Sequence, residues 1–433
     1  MVGAPRSREE EPLVRIAARR ALARVRRAAA TPQFGRLLVL QATGAAGDAL
    51  VALALAGSLF FSIPEAEARN RVALYLVMTM APFSVIAPLL SRILDRSHGG
   101  LKVAMVVSSL GRAALAWLLA SRLETVYLFP IAFGLLVGSR TALVTRNAML
   151  PGLAPEGRGL VEANATLSKV SAFAGLVAVP LGLVLLRWPG VHAELLVAAA
   201  VYAAGIIPAA RLPSRRGSID PTERRRARRR TGASVRRAVA AMTVFRGLVG
   251  FLVLHLGFAL PREALDALGL SVLVGGAALG SFCGAAAAPR VKGRLTEEGL
   301  IVLGASVAGA SALAAGWWFS LGSAAALVFA FGASAGASKV AFDSIVQRDT
   351  PEGSRGWAFA RFESLLQLGW VAGALLPVAL PIPARPGIYG TGAIAIAIAL
   401  ALAIGFMAAR RRGRTGAHPT SAGDVNMKRD PPV

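Results

Sequence analysis

The chain has 433 residues, 55% hydrophobic and only 16% charged, with a formal net charge of +25. A soluble chain of this length would carry about 25% charged residues and divide into two or three domains, so a water-soluble architecture is excluded. The basic excess invites a nucleic-acid partner, but the arginines cluster between apolar runs instead of lining one soluble face, and no nucleic acid is expected.

Residues 1–35 form a basic arm that either floats in solvent or lies on anionic lipid. It lacks the short apolar core and small-residue cleavage site of a secretory signal. Twelve apolar runs follow, near 36–61, 72–90, 102–120, 125–146, 160–186, 191–210, 237–260, 267–289, 298–319, 322–346, 357–381 and 387–409. Each holds roughly 20 mostly apolar residues, enough at ~1.5 Å per residue to cross a ~30 Å hydrocarbon layer. Arg246 and His255 interrupt the seventh run, and His255 reads as a packing residue. Glycines at 276, 280 and 284 and at 332 and 336 recur at the spacing that lets membrane helices pack closely.

The Lys/Arg distribution sets the orientation. With the N-terminus placed in the cytoplasm, 36 of the 48 Lys and Arg residues fall on that side, six on the other and six within spans. This predicts a multi-pass inner-membrane protein with both termini cytoplasmic, which requires an even number of spans. Trp188, Trp317 and Trp318 fall at the predicted outer interface. The segment 211–236, with its run Arg224 to Arg230, is a basic cytoplasmic linker. It separates a six-helix bundle at 36–210 from a second at 237–410, and a tail follows at 411–433. The expected fold is all-α, with 12 transmembrane helices in two pseudo-symmetric six-helix bundles.

An internal repeat supports that division. The segment from Asn147 through Pro155-Glu156-Gly157 to Gly159 recurs from Asp343 through Pro351-Glu352-Gly353 to Gly356, and Pro180 is matched by Pro377. Both copies join a fourth and a fifth span of a six-span half, as a parallel duplication requires.

With this layout the chain resembles the major facilitator superfamily over about residues 34–410. The connection Ser91 to Lys102, with Asp95, Arg96 and Gly99, is similar to the family's loop signature Gly-x-x-x-Asp-Arg-x-Gly-Arg-Arg. Ser91 replaces the first Gly, and the equivalent second-half loop, Pro289 to Arg294, has lost the acid. Pro155-Glu156-Gly157-Arg158-Gly159 and Ala163-Asn164-Ala165 are similar to the drug/macrolide-efflux and siderophore-exporter branch. The resemblance implies a gate at the cytoplasmic ends of the spans, and Asp95, Arg96, Asn147, Glu162, Asp343 and Glu363 are its candidates. Asp95 would there accept from the N-terminus of span eleven.

Ionisable side chains at membrane depth cost ~2.5–3.5 kcal/mol each and face a cavity or a partner. Asp48 lies ~18 Å into span one and Arg112 ~15 Å into span three, within ion-pair or one-water reach. Either Asp48 titrates or contacts substrate under the control of Arg112, or the two form a static pair orienting spans one and three. Arg140 and Lys169 join them as candidate cavity residues. Arg140, Lys169, Lys339 and Arg361 are also long enough to snorkel to the inner interface.

One cysteine, Cys283, allows no internal disulfide, and neither it nor the four histidines has metal-ligand spacing. No cofactor, metal site or enzymatic nucleophile–base pair is expected, and no nucleotide-binding loop is present. The expected function is proton-coupled export of a small lipophilic or amphiphilic molecule by a monomer working through alternating access. Two other readings stay open: an importer or facilitator of the same fold, and a non-transporting scaffold or lipid-handling protein.

Overall fold

In a computed structural model of the chain the described residues are 31–59, 100–123, 125, 127–157, 159–214, 232–260, 267–351 and 355–415. The second predicted span, the loop carrying Asp95 and Arg96, and most of the arm, linker and tail lie outside them. Among the described residues every regular element is helical: α1 (Pro32–Leu59), α2 (Gly100–Ala120), α3 (Leu128–Leu153), α4 (Leu160–Arg187), α5 (Val191–Ala204), α6 (Ile206–Ala210), α7 (Ala233–Ala259), α8 (Ala267–Lys292), α9 (Glu297–Trp317), α10 (Leu321–Asp349), α11 (Arg355–Ala379) and α12 (Ala384–Thr415). Each predicted apolar run outside 72–90 is matched by one helix, with α5 and α6 together making the sixth.

Ten of these segments are long and apolar enough to cross a membrane. The remaining long helix, α3, carries Arg140, Arg146 and Asn147. It also runs seven residues past the predicted end of its apolar run, to Leu153. Hydropathy marks where hydrocarbon ends, whereas the helix continues as long as backbone hydrogen bonds do. Pro180 and Pro377 both sit inside helices, α4 and α11, at matching points of the repeat. Large apolar side chains such as Leu176, Val184 and Ile404 are more than 60% exposed, which suits a surface facing lipid rather than water.

The packing order repeats between halves. In the first, α1 packs on α4 and α2 on α3 and α5; in the second, α7 packs on α11 and α9 on α10 and α12. These are the same pairings in the same sequence order, as duplication predicts. The start of α1 and the ends of α3 and α12 define one end of the molecule, the terminus face. There Phe34 and Leu37 pack with Leu150, Leu153 and Leu167. The equivalent cluster in the second half joins Val235, Val346, Phe359 and Leu402.

The halves touch near this face. Val144 of α3 enters the second half's core beside Val346 and Phe359. Val161 and Ala165 of α4 pack on Ala285 and Ala288 of α8 and Val340 of α10.

Within the second half, α8 and α10 meet backbone to backbone. A Cβ on Gly284 would lie 1.9 Å from the Ala333 carbonyl oxygen, so only glycine fits. The same holds where Gly373 of α11 meets the Gly247 carbonyl of α7, also at 1.9 Å.

Candidate functional site

Among the described residues, three groups of polar side chains stand out inside the bundle. The first lies within the first half. Asp48 of α1 accepts hydrogen bonds at Oδ1 from Ser139 Oγ of α3 at 2.6 Å and Tyr202 Oη of α5 at 2.7 Å. Arg112 of α2 reaches the same oxygen through Nη1 at 3.5 Å. Arg112 is itself almost fully buried, donates from Nε to the Ser108 carbonyl at 3.2 Å, and stacks its guanidinium 4.7 Å from the centre of the Tyr202 ring. Glycines make room for it, since a Cβ on Gly138 would meet Arg112 Cγ at 2.7 Å. Asp48 keeps 44% of its side chain exposed, so this carboxylate is both fixed and open to small molecules.

The second group lies between the halves. Lys339 of α10 bridges two acids: Asp343 one turn along, at 2.6 Å, and Glu363 of α11. Arg246 of α7 and Arg140 of α3 interact electrostatically with Glu363, and Arg146 of α3 with both acids. Arg146 makes its hydrogen bonds to neutral amides, from Nη1 to Gln41 Oε1 at 2.6 Å and from Nη2 to Asn147 Oδ1 at 2.6 Å. Gln41 in turn donates to Ser171 of α4. The cluster therefore draws on α1, α3 and α4 of one half and α7, α10 and α11 of the other.

The third group closes the terminus face beneath it. Asn164 of α4 donates through Nδ2 to Gln347 Oε1 at 2.7 Å and Ser344 Oγ at 3.2 Å, both on α10. Gln347 Nε2 donates to the Asn147 carbonyl of α3 at 3.2 Å. All four residues are at least 97% buried, so this is a dry polar seal, and the bonds joining the four to one another all cross between halves.

The sequence candidates distribute unevenly over these groups. Asp48 and Arg112 come together. Arg140 joins the cluster around Glu363. Lys169 is half-buried on α4 and joins neither group among the described residues. Of the gate candidates, Asn147 belongs to the seal, Asp343 and Glu363 to the charged cluster, and Glu162 is exposed at the start of α4. Asp95 and Arg96 lie outside the described residues. Lys339 does not snorkel; it is held by its two carboxylates. Arg361 is exposed, with its guanidinium 5.3 Å from the Trp357 ring centre.

His255 is buried, 3.1 Å from the Ala384 carbonyl and stacked on Phe251, as a packing residue would be. The acid missing from the loop at 289–294 reappears at the start of α9. There Glu297 pairs with Lys292 at 2.8 Å and Arg348 at 2.9 Å, and Arg348 also reaches Glu298 at 2.8 Å. Sequence reasoning missed Tyr202, Ser139 and Gln347, because a neutral polar residue in a span carries no charge to flag it. It also passed over Glu194, a fully buried acid in the sixth run whose two oxygens have no hydrogen-bond partner.

The known proteins that this chain resembles agree with the architecture. The family model described as Major Facilitator Superfamily matches residues 36–374. An uncharacterized protein of Mycobacterium leprae (strain TN) is 30% identical over 380 residues, covering 78% of this chain and 65% of that one. An uncharacterized protein of Mycobacterium tuberculosis (strain ATCC 25618 / H37Rv) is 30% identical over 375 residues, covering 76% and 66%. The chain thus spans about two thirds of the length of these curated relatives. Among solved structures, a bacterial homologue of the iron transporter ferroportin in its outward-facing state superposes with a TM-score of 0.66 at 14% identity, over 87% of this chain and 99% of that one. The transporter FucP in the outward conformation gives 0.64 at 16% identity, over 86% and 97%. The likeness to solved structures shows the fold. The match across 36–374 shows the kinship: the chain is a multi-pass membrane protein of the Major Facilitator Superfamily, a family of transporters.

Proposed function

We propose that the protein is a secondary transporter that exports a small amphiphilic molecule in exchange for protons, by alternating access between its two six-helix halves. The observation that carries this reading is the stacking of two groups between the halves. A dry seal of Asn147, Asn164, Ser344 and Gln347 lies at the terminus face, and above it sits a partly exposed charged cluster built from both halves. Separating the halves at the terminus face would break every bond of the seal and leave most bonds within each half intact. That makes the seal a switchable element, which alternating access needs.

Asp48 is the proposed proton-coupling group. It is partly exposed, sits beside a buried arginine, and shares one oxygen among three donors, whose bonds to it would weaken when protonation removes its charge. The terminus face is proposed to be cytoplasmic, in an inner membrane, with the basic arm and linker against anionic lipid and the protein acting as a monomer. The drug/macrolide-efflux and siderophore-exporter branch is the proposed sub-family, on the Pro155 to Gly159 and Ala163 to Ala165 segments.

The test is transport in vesicles with an imposed pH gradient. The parent should move substrate faster with the gradient, and Asp48→Asn should remove that acceleration while keeping counterflow exchange. An Asp48→Asn protein that folds and still responds fully to the gradient would refute the coupling role.

A further inference from the structure

We propose that Gln41 is a positioning residue, one end of a second polar rung between α1 and α3 through which the state of Asp48 reaches the seal. The inference rests on the transport reading and adds the route that joins its two parts.

Asp48 and Gln41 lie seven residues apart on α1, and Ser139 and Arg146 lie seven apart on α3. Seven residues make nearly two turns, so each pair shares a helix face, with its members ~10.5 Å apart along the axis. The two pairs meet in register, as helices running in opposite directions allow. Ser139 Oγ donates to Asp48 Oδ1 at 2.6 Å, and Arg146 Nη1 donates to Gln41 Oε1 at 2.6 Å. Apart from these rungs the two helices pack sparsely, α1 lying chiefly on α4 and α5 and α3 on α2. The rungs therefore govern how α1 and α3 sit against each other.

The second rung leads into the seal. Arg146 also donates from Nε and Nη2 to Asn147 Oδ1, at 3.0 and 2.6 Å. The Asn147 carbonyl accepts from Gln347 of α10 at 3.2 Å, and Gln347 accepts from Asn164 of α4 at 2.7 Å. An unbroken line of polar contacts thus runs from Gln41 of α1, through α3, to the bonds that cross between the halves. Gln41 is steadied from its other side by donating to Ser171 of α4. Arg146 also interacts electrostatically with Asp343 and Glu363, so the same rung bears on the charged cluster.

Removing the charge of Asp48 weakens the first rung, because a hydrogen bond to an ionised acceptor is stronger than one to a neutral acceptor. The second rung then becomes the pivot of α3 against α1. A displacement at Ser139 turns about Arg146 and shifts Asn147 against Gln347, which loosens the seal. Without Gln41 that displacement is absorbed between the helices and does not reach Asn147.

The experiment uses full-length protein carrying Cys283→Ala and Ala165→Cys, reconstituted in vesicles with the terminus face outermost. It reads the rate at which a membrane-impermeant maleimide labels position 165. Asp48→Asn should speed labelling about fivefold or more, the low end of coupling between linked sites. In a Gln41→Leu background the same change should alter the rate by less than about twofold, as for independent sites. This double-mutant cycle separates the coupling from any loosening that Gln41→Leu causes alone. Gln41→Glu still accepts from Arg146 and should restore the response to Asp48→Asn. Ser171→Ala removes the other bond of Gln41 and should leave that response in place. If Gln41→Leu does not fold, Gln41→Asn, one methylene too short for the rung, takes its place.

A response to Asp48→Asn as large in Gln41→Leu as in the parent would overturn the inference and leave the transport reading untouched. So would a Gln41→Glu protein that behaves like Gln41→Leu, since the hydrogen bond would then not be what matters. Labelling that ignores Asp48→Asn in the parent would also overturn it, and vesicle flux then judges the reading separately. An Asp48→Asn protein that has lost gradient-driven acceleration keeps the coupling role and discards this route; one that has not discards both.

Discussion

The two halves share an order of helices and differ in what holds them together. The second half is built on bare backbone contact: Gly284 against Ala333 and Gly373 against Gly247 leave no room for a side chain. Its terminus face is pinned by a web of ion pairs, Lys292–Glu297–Arg348–Glu298. The first half has side chains where the second has glycine seams. Tyr202 fills the space beside Gly47, and Arg112 the space beside Gly138. Its polar centre, Asp48 with Ser139, Tyr202 and Arg112, lies inside the bundle. The second half's polar centre, Lys339 with Asp343 and Glu363, lies with the first half's Arg140 and Arg146. Duplication preserved the scaffold and left one half with an internal carboxylate and the other with a tightly zipped frame carrying the shared charges.

Substitutions at matched positions break or sharpen this contrast. The largest effect is expected from Lys339→Met, which removes the cation hydrogen-bonded to both Asp343 and Glu363 and should cost about 3–5 kcal/mol. Protein yield and melting temperature should both fall, and the triple variant that adds Asp343→Asn and Glu363→Gln should recover much of the loss. Gly284→Ala should cost about 3 kcal/mol, because its Cβ would meet backbone and not a side chain that can turn away. Gly44→Ala in the first half, 3.4 Å from the Arg112 guanidinium, should melt within about 1 kcal/mol of the parent. Equal damage from the two alanines would erase the distinction between frames.

Asn164→Leu removes hydrogen bonds to Ser344 and Gln347 and should weaken the seal by about 1–3 kcal/mol. Labelling of a cysteine placed at Ala165 by a reagent from the terminus face should then speed up. Unchanged labelling would show that the seal does not control access. The smallest effect is expected from Glu194→Leu. Replacing an unpartnered buried acid by an alkyl side chain should raise stability by about 1 kcal/mol, read as a rise in melting temperature.

The spans outside 72–90, the matching packing of the two halves and the meeting of Asp48 with Arg112 were legible because each is written in charge or hydropathy. A charge inside an apolar run is costly enough to need a partner, and the two residues shared a depth. The glycine spacing at 276, 280 and 284 likewise announced a seam, and α8 packs there on α10. The allocation of partners was not legible. Depth alone placed Asp343 and Glu363 with Glu162 at a gate, whereas helix rotation decides which neighbour each side chain meets. Lys339, four residues before Asp343, lies on the same face of α10 and claims that acid first. The α3 helix likewise carries Arg140 and Arg146 toward the second half, a direction that hydropathy does not encode.

The central claim is that the halves move against each other about the charged cluster, opening one end as the other closes. Double electron–electron resonance tests it directly, in vesicle-reconstituted protein with Cys283→Ala as background. One spin pair joins Glu156, after α3, to Arg290, at the end of α8; the other joins Val184 of α4 to Val274 of α8, toward the opposite face. The account predicts that, on acidification, one distance lengthens as the other shortens. Distances that stay single and unchanged, or that lengthen together, would contradict it.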